Sequence, residues 1–198
     1  MNCRKHLFVY ALSFLIFSTA YSQLHLPATN NNLRNDIAKV LQDYPNKFKN
    51  LVGDTLLQNP QVISFTSTIQ ADGAQECSVA KYSAGKRDIY SWQALMLTSE
   101  DFEDAIKTYK KIYTQLNNVP LKISKDKNFR FSAKYEPPAE ERKFNSILFA
   151  AAEPEMKKLK LELNMRFEFP EWKILILVYE REREDDERGR LDDEEFGY

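Results

Sequence analysis

The sequence predicts an α+β protein whose two main helices pack on one face of an antiparallel sheet of about seven or eight strands. Three observations lead to this fold class. Apolar and polar residues alternate strictly along Lys158 to Phe169, one long segment repeats apolar residues at helical spacing, and most connections are too short for parallel crossovers. The predicted order, α-βββ-α-ββββ, suggests a duplicated unit of one helix followed by a meander.

The N-terminal residues predict a cleavable signal peptide. Arg4 and Lys5 precede an apolar run over residues 7–17, which is too short to cross a bilayer. Ala20 and Ser22 place small residues at the two positions that signal peptidase reads. We therefore expect cleavage after Ser22, a periplasmic or secreted product, and no transmembrane segment in the mature chain.

A polar leader over residues 23–32 precedes the first predicted helix. Asn32 is a favourable N-cap residue, and apolar residues follow it at a spacing of three or four. The apolar face of this helix consists of Leu33, Ile37, Val40, Leu41 and Tyr44. Pro45 is expected to break the helix, and the apolar face is expected to continue over residues 48–52 to Gly53.

Three strands are predicted next, at residues 62–69, 77–81 and 88–98. Turn residues at 71–74 and 83–86 join them. Connections of this length produce an antiparallel meander.

The second helix is predicted over residues 102–116, after the capping and acidic residues 98–101. Its apolar face consists of Phe102, Ala105, Ile106, Tyr109, Ile112, Tyr113 and Leu116. Residues 117–120 are expected to end it. The strands of the second block are predicted at residues 121–123, 129–135 and 144–150, followed by a hairpin of residues 158–169 and 172–179.

The predicted organisation is a single folded domain between two terminal segments. Its boundaries are 1–22 for the signal peptide, 23–32 for the flexible leader, 33–179 for the α+β domain and 180–198 for a charged tail. Residues 180–195 hold ten acidic residues against four arginines, a composition typical of disorder. The alternative is an acidic arm that folds onto a basic patch of the body or of a partner.

The body carries only a small positive net charge, so we expect no nucleic-acid binding.

The residue types that carry most enzyme chemistry are scarce. After cleavage the chain would keep one histidine, His25 in the leader, and one cysteine, Cys77. These cannot form an internal disulfide, a nucleophile–histidine triad or the usual zinc ligand set, and no glycine-rich phosphate loop is present. We therefore expect no metal, no cofactor and no catalytic residue. Cys77 is expected to be a small buried hydrophobe rather than a reactive thiol.

The leading interpretation is an exported, non-catalytic binding module of a bacterial envelope that holds a protein partner. Aromatic residues on strands could form the contact surface, and the candidate residues are Tyr90, Trp92, Tyr135 and Trp172. One alternative is an extracellular hydrolase that uses a carboxylate pair. Its candidate acids are Asp72, Glu76, Asp88, Glu136, Glu140, Glu141, Glu153 and Glu155. The other alternative is a carrier of small apolar ligands with a closed cavity lined by Phe, Tyr and Leu.

Overall fold

The structure is a computed structural model that describes residues 32–84, 87–122 and 128–181. The predicted signal peptide, the leader with His25, and the tail beyond residue 181 lie outside the described residues. Within the described ranges, no helix combines the length and apolar character needed to cross a membrane.

Two α-helices, nine strands and three short 3-10 turns make up the described chain. The elements are α1 (Asn32–Gln42), β1 (Val52–Gln58), β2 (Val62–Ser67), β3 (Glu76–Ala84), β4 (Arg87–Ser99), α2 (Phe102–Leu116), β5 (Val119–Lys122), β6 (Asn128–Phe131), β7 (Phe144–Phe149), β8 (Leu159–Glu168) and β9 (Glu171–Glu180). The 3-10 turns are Tyr44–Asn46, Lys49–Leu51 and Pro154–Met156.

Seven strands form one antiparallel sheet in the order β1-β2-β3-β4-β9-β8-β7. β1 to β4 form one meander and β7 to β9 form another, and the two meet where β4 pairs with β9. The predicted fold class and order of helices and strands are confirmed.

The β8–β9 hairpin also follows its sequence pattern. Leu159, Leu161 and Leu163 are buried, while the polar residues between them point to the opposite face. β9 lies between β4 and β8 in the interior of the sheet, and its residues are buried or half-buried on both faces.

Both helices cover the same face of the sheet, which we call the covered face. The Tyr109 hydroxyl of α2 donates to the Leu163 carbonyl of β8 at 3.3 Å. The ring of Phe102 lies 4.9 Å from that of Trp172 on β9. The opposite face, called the uncovered face, has no helix of the described chain packed on it.

Arg34 links the two helices. Its Nε donates to the Gln115 carbonyl at 3.0 Å, and its Nη2 donates to the Asn117 carbonyl at 2.8 Å. These carbonyls lie at the C-terminal end of α2, where helical partners are missing and a cation is favourable. The contact fixes α1 against the end of α2.

The expected break of the first helix near Pro45 is found: after α1 the chain forms only two 3-10 turns before β1, and Phe48 and Leu51 of the expected apolar face are buried. Lys47 and Phe48 have φ values of 56° and 59°, in the left-handed region that a right-handed helix cannot contain. The helix ends at Gln42, and the buried carboxylate of Asp43 organises the following loop.

Gly53 instead lies in β1, a strand that the sequence pattern did not predict. A Cβ at this position would lie 2.9 Å from the Thr66 carbonyl oxygen and closer still to Thr66 Oγ1. Glycine therefore allows β1 to approach β2 closely here, and the Asp54 N–H donates to Thr66 Oγ1 at 2.8 Å.

The two strands after α2 also differ in placement from the prediction. Among the described strands, β5 and β6 pair with each other alone, and they form a separate two-stranded sheet beside α1. β6 ends at Phe131, so Tyr135 lies in a loop rather than on a strand.

Replacing Ser67 with alanine is expected to lower the free energy of unfolding by about 1–3 kcal/mol, because a buried donor would lose its partner. Ser67 Oγ accepts the indole N–H of fully buried Trp92 at 2.8 Å. Urea unfolding of the full chain measures the change. The matched control is Ser64→Ala on the uncovered face, which we expect to change the free energy by less than about 0.5 kcal/mol. Equal effects of the two substitutions would contradict the role of this hydrogen bond.

Candidate functional site

The uncovered face of the four strands β2, β3, β4 and β9 is formed by neutral side chains. It is bounded at one end by Glu76 and Lys173 and at the other by the backbone position of Arg87, which the register assigns to the same face. We call the following set the neutral face: Val62, Ser64, Thr66, Ser78, Ala80, Tyr82, Ile89, Ser91, Gln93, Leu95, Leu175, Leu177 and Tyr179. Most of its members are buried or half-buried within the sheet surface, whereas Tyr82 is 45% exposed.

The register of the sheet aligns these side chains in rows that cross the strands. One row consists of Thr66, Ser78, Gln93, Leu177, Glu162 and Leu148. Within it, the Gln93 side-chain amide donates to Ser78 Oγ at 3.0 Å. The neutral face therefore carries oriented hydrogen-bonding groups beside leucine side chains.

Glu162 of β8 borders the neutral face. Its two carboxylate oxygens accept the hydroxyls of Ser146, at 2.6 Å, and Tyr179, at 2.8 Å. Because these residues come from three neighbouring strands, the network ties β7, β8 and β9 together on this face. It also fixes the orientation of the Tyr179 ring next to Ser91.

Trp92 and Trp172, two of the predicted contact residues, lie on the covered face. Their exposed fractions are 0% and 2%. Trp92 lies in the core of the sheet, and Trp172 packs against Phe102 and Phe167. Side chains buried in this way cannot contact a partner while the helices stay in place.

Tyr90 and Tyr135, the other two, are half-buried against the core. The ring of Tyr135 lies 4.8 Å from that of Tyr113, and burial together with Tyr113 raises the pKa of Tyr135. The structure thus brings none of the four aromatic residues onto the neutral face, and it gives the hypothesis of an aromatic contact surface no support.

The neutral-face residues could have been found in the sequence by comparing charge at alternate positions of the strands. Each of the three predicted strands of the first block has one set of positions that is almost free of charge. That set includes Ser64, Ser78 and Ser91, which a search for aromatic residues passes over.

Two open depressions bear on the hydrolase and carrier alternatives. The first, of about 350 Å³, includes Asp88 and Glu180 among its lining residues. Asp88 forms an ion pair with Lys81 at 2.9 Å, and Glu180 forms one with Lys47 at 2.7 Å. Each carboxylate is therefore held by a lysine of its own.

The second depression, of about 390 Å³, lies beside α1 and is lined by polar side chains that include Asp36 and Asp72. Asp36 pairs with Lys39 at 2.9 Å and accepts the backbone N–H of Asp72 at 3.1 Å. Neither depression has the closed, apolar form that a carrier of apolar ligands needs.

Cys77 is buried in the core, as expected from the sequence. Its burial raises the pKa of the thiol, which disfavours the reactive thiolate. In the part of the chain that the structure describes, no group of three or more His, Cys, Asp or Glu side chains is placed to hold a metal ion.

Comparisons of the chain with protein families, with curated proteins and with solved structures gave no match.

The first depression lies beside Tyr44. The raised pKa of this tyrosine predicts that the protein loses stability at alkaline pH. Burial and the neighbouring Glu180 raise the pKa of Tyr44 from 10.0 to about 12. The native protein then keeps a proton that the unfolded chain loses, so the free energy of unfolding falls as the pH rises from 10 through 12. Tyr44→Phe is expected to make this fall smaller.

Urea unfolding at a series of alkaline pH values measures the effect in the wild-type protein and in Tyr44→Phe. Glu180→Gln keeps the tyrosine but removes the carboxylate, and it should lie between the two. An identical pH dependence of all three proteins would contradict the assignment.

Proposed function

We propose that the protein is an exported, non-catalytic binding module that holds a protein partner on its neutral face. The single observation that carries this proposal is the composition of that face. Charged residues make up 29% of the chain, yet between the Glu76–Lys173 end and the register position of Arg87 in β4 the uncovered face of four adjacent strands is neutral. A face that only met water would not need to exclude charge in this way.

The chemistry of the neutral face fits the centre of a protein interface. Charged residues are depleted there because their desolvation is costly, whereas apolar side chains and tyrosine are accepted. Leu95 and Leu177 supply apolar area, and Gln93 and Tyr179 supply polar groups whose orientation is already fixed. Side chains held in place lose little conformational freedom on binding.

The same chemistry defines the kind of partner. A surface with few charges is complementary to a partner surface that is itself uncharged, apolar and able to form a few hydrogen bonds. Because the contact would contain few ion pairs, its affinity is expected to depend only weakly on salt concentration.

Export is part of the proposal and rests on the predicted signal peptide. The partner would then be a protein of the cell envelope or the extracellular space. Mass spectrometry of the protein recovered from its source cells would give Gln23 as the N-terminal residue if cleavage occurs after Ser22.

Placing a carboxylate on the neutral face is expected to weaken partner binding. The full chain, immobilised, is incubated with envelope extract of its source organism, and the retained partner is quantified at low and moderate salt. Leu177→Asp and Tyr82→Asp should reduce retention at least about tenfold, because each would bury a charge against an apolar surface.

Thr114→Asp provides the matched control, since it adds the same charge on the exposed side of α2. It should leave retention unchanged, and circular dichroism of each variant checks that the fold is kept. The proposal fails if both neutral-face variants retain the partner as well as wild type, or if moderate salt alone releases it.

A further inference from the structure

Hydrogen bonds at the two ends of β7 show which of its backbone N–H and C=O groups point toward β8 and which point away. The Lys143 carbonyl, just before the strand, accepts the Phe167 N–H of β8 at 2.8 Å. At the other end, Ala150 exchanges two hydrogen bonds with Ser132 on the outer side, both at 3.1 Å. Since the direction of these groups alternates along a strand, Phe144, Ser146 and Leu148 direct their N–H and C=O groups away from β8.

These three residues form a free edge within the described part of the chain. β7 is the last strand of the sheet, and the only strand paired with it along this stretch is β8. Their side chains are also accessible, with Phe144 57% and Leu148 41% exposed on the uncovered face. Proteins usually protect such edges with charges, proline or bulges.

The opposite edge of the sheet has this protection and β7 does not. β1 pairs with β2 through two register irregularities, which break the regular row of backbone groups. β7 pairs with β8 in unbroken register from Phe144 to Phe149. Its sequence, Phe-Asn-Ser-Ile-Leu-Phe, contains no charge, no proline and no glycine, which is typical of strands that pair with copies of themselves.

We propose that β7 pairs with β7 of a second copy of this chain, in antiparallel orientation, about a two-fold axis that passes through Ser146. In this register each Phe144 lies opposite Leu148 of the second copy, and the two Ser146 residues lie opposite each other. Each of these pairs exchanges two backbone hydrogen bonds. The exposed Phe144 and Leu148 side chains then pack against each other across the axis.

The free edge of one copy and the β7 strand of the second copy begin and end at the same positions. The Ser132–Ala150 bridge closes the edge after Leu148. Between this bridge and Phe144 the chain runs on the covered side of β7, where the Tyr113 hydroxyl donates to the Ala133 carbonyl at 2.8 Å and the Ala139 N–H donates to Asn145 Oδ1 at 3.3 Å. The paired part of the second copy's β7 therefore ends where the Ser132–Ala150 bridge begins. Because the two copies pair through the same edge, the result is a closed dimer rather than a fibre.

This inference is independent of the proposed partner binding. The dimer joins two sheets edge to edge and leaves each neutral face open, so binding and dimerisation can fail separately.

The test is sedimentation velocity of the full chain over an approximately hundredfold concentration range. Wild type is expected to approach twice the mass of a single copy. Ser146→Pro removes one outward N–H on the axis and should weaken dimerisation at least about tenfold. Phe144→Lys keeps the β8 hydrogen bonds but places a charge at the contact, and it should have the same effect.

Leu57→Lys is the control, because it places the same charge on an exposed leucine of β1 at the other edge. It should leave the dimer intact. A wild-type protein that stays monomeric overturns the proposal, and so does a dimer that survives both Ser146→Pro and Phe144→Lys. A dimer lost in Leu177→Asp but kept in those two variants would place the contact on the neutral face and overturn it as well.

The proposed register, in which the two Ser146 residues lie opposite each other, can also be tested by cross-linking. In an antiparallel pair of this type the Cα atoms of opposite residues lie about 5.5 Å apart, within the range that a disulfide spans. Ser146→Cys should form a cross-linked dimer on oxidation, with the bridge located by peptide mapping. Leu57→Cys, under the same conditions, should not. A bridge that maps elsewhere contradicts the two-fold register.

Discussion

The pairing of β4 with β9 is the interaction on which the rest of the structure depends. The two strands are far apart in sequence, and each is the last strand of its own meander. Their register places Trp92 opposite Val178 and Ala94 opposite Ile176, all of them fully buried on the covered face. α2 packs across both strands and β8. Without this pairing β4 and β9 would each become an exposed edge of a separate meander, and α2 would lose the continuous surface that it covers.

Much of the fold could be predicted because its strongest patterns are local. The alternation in β8 has a direct physical cause, since one face of that strand is buried and the other is not. The helix α2 combines an apolar face with an N-cap, and the structure confirms that Asp101 accepts the Glu103 N–H at 2.8 Å. These signals need no knowledge of distant residues.

β1 could not be predicted because its causes are not local. The chain turns at Lys47 and Phe48, two residues with side chains that do not favour a left-handed backbone, and the turn is stabilised by side-chain hydrogen bonds to Asp43. Gly53 resembles a helix-ending glycine in the sequence, whereas its actual role is to permit close approach to Thr66, a residue of the next strand.

The contact surface was harder to predict than the strands that carry it. Alternation shows that Trp92 and Gln93 lie on opposite faces of β4, but it does not show which face the helices cover. Aromatic residues favour both a core and an interface, so they cannot decide the question. The absence of charge is more informative, because a core and an interface both exclude it while a solvated face does not. The comparison can be made strand by strand in the sequence, whereas only the register of β2, β3, β4 and β9 shows that the neutral positions lie side by side on one face.

The Arg34 contact has a consequence for how the chain folds. It joins residues that are 81 and 83 positions apart in sequence, so forming it closes a loop that contains the whole first meander and most of α2. Ordering so long a loop is entropically costly, and contacts of this separation slow folding. We therefore expect α1, although it is the first element of the described chain, to be among the last to dock. During folding, the C-terminal carbonyls of α2 would remain hydrated until it does.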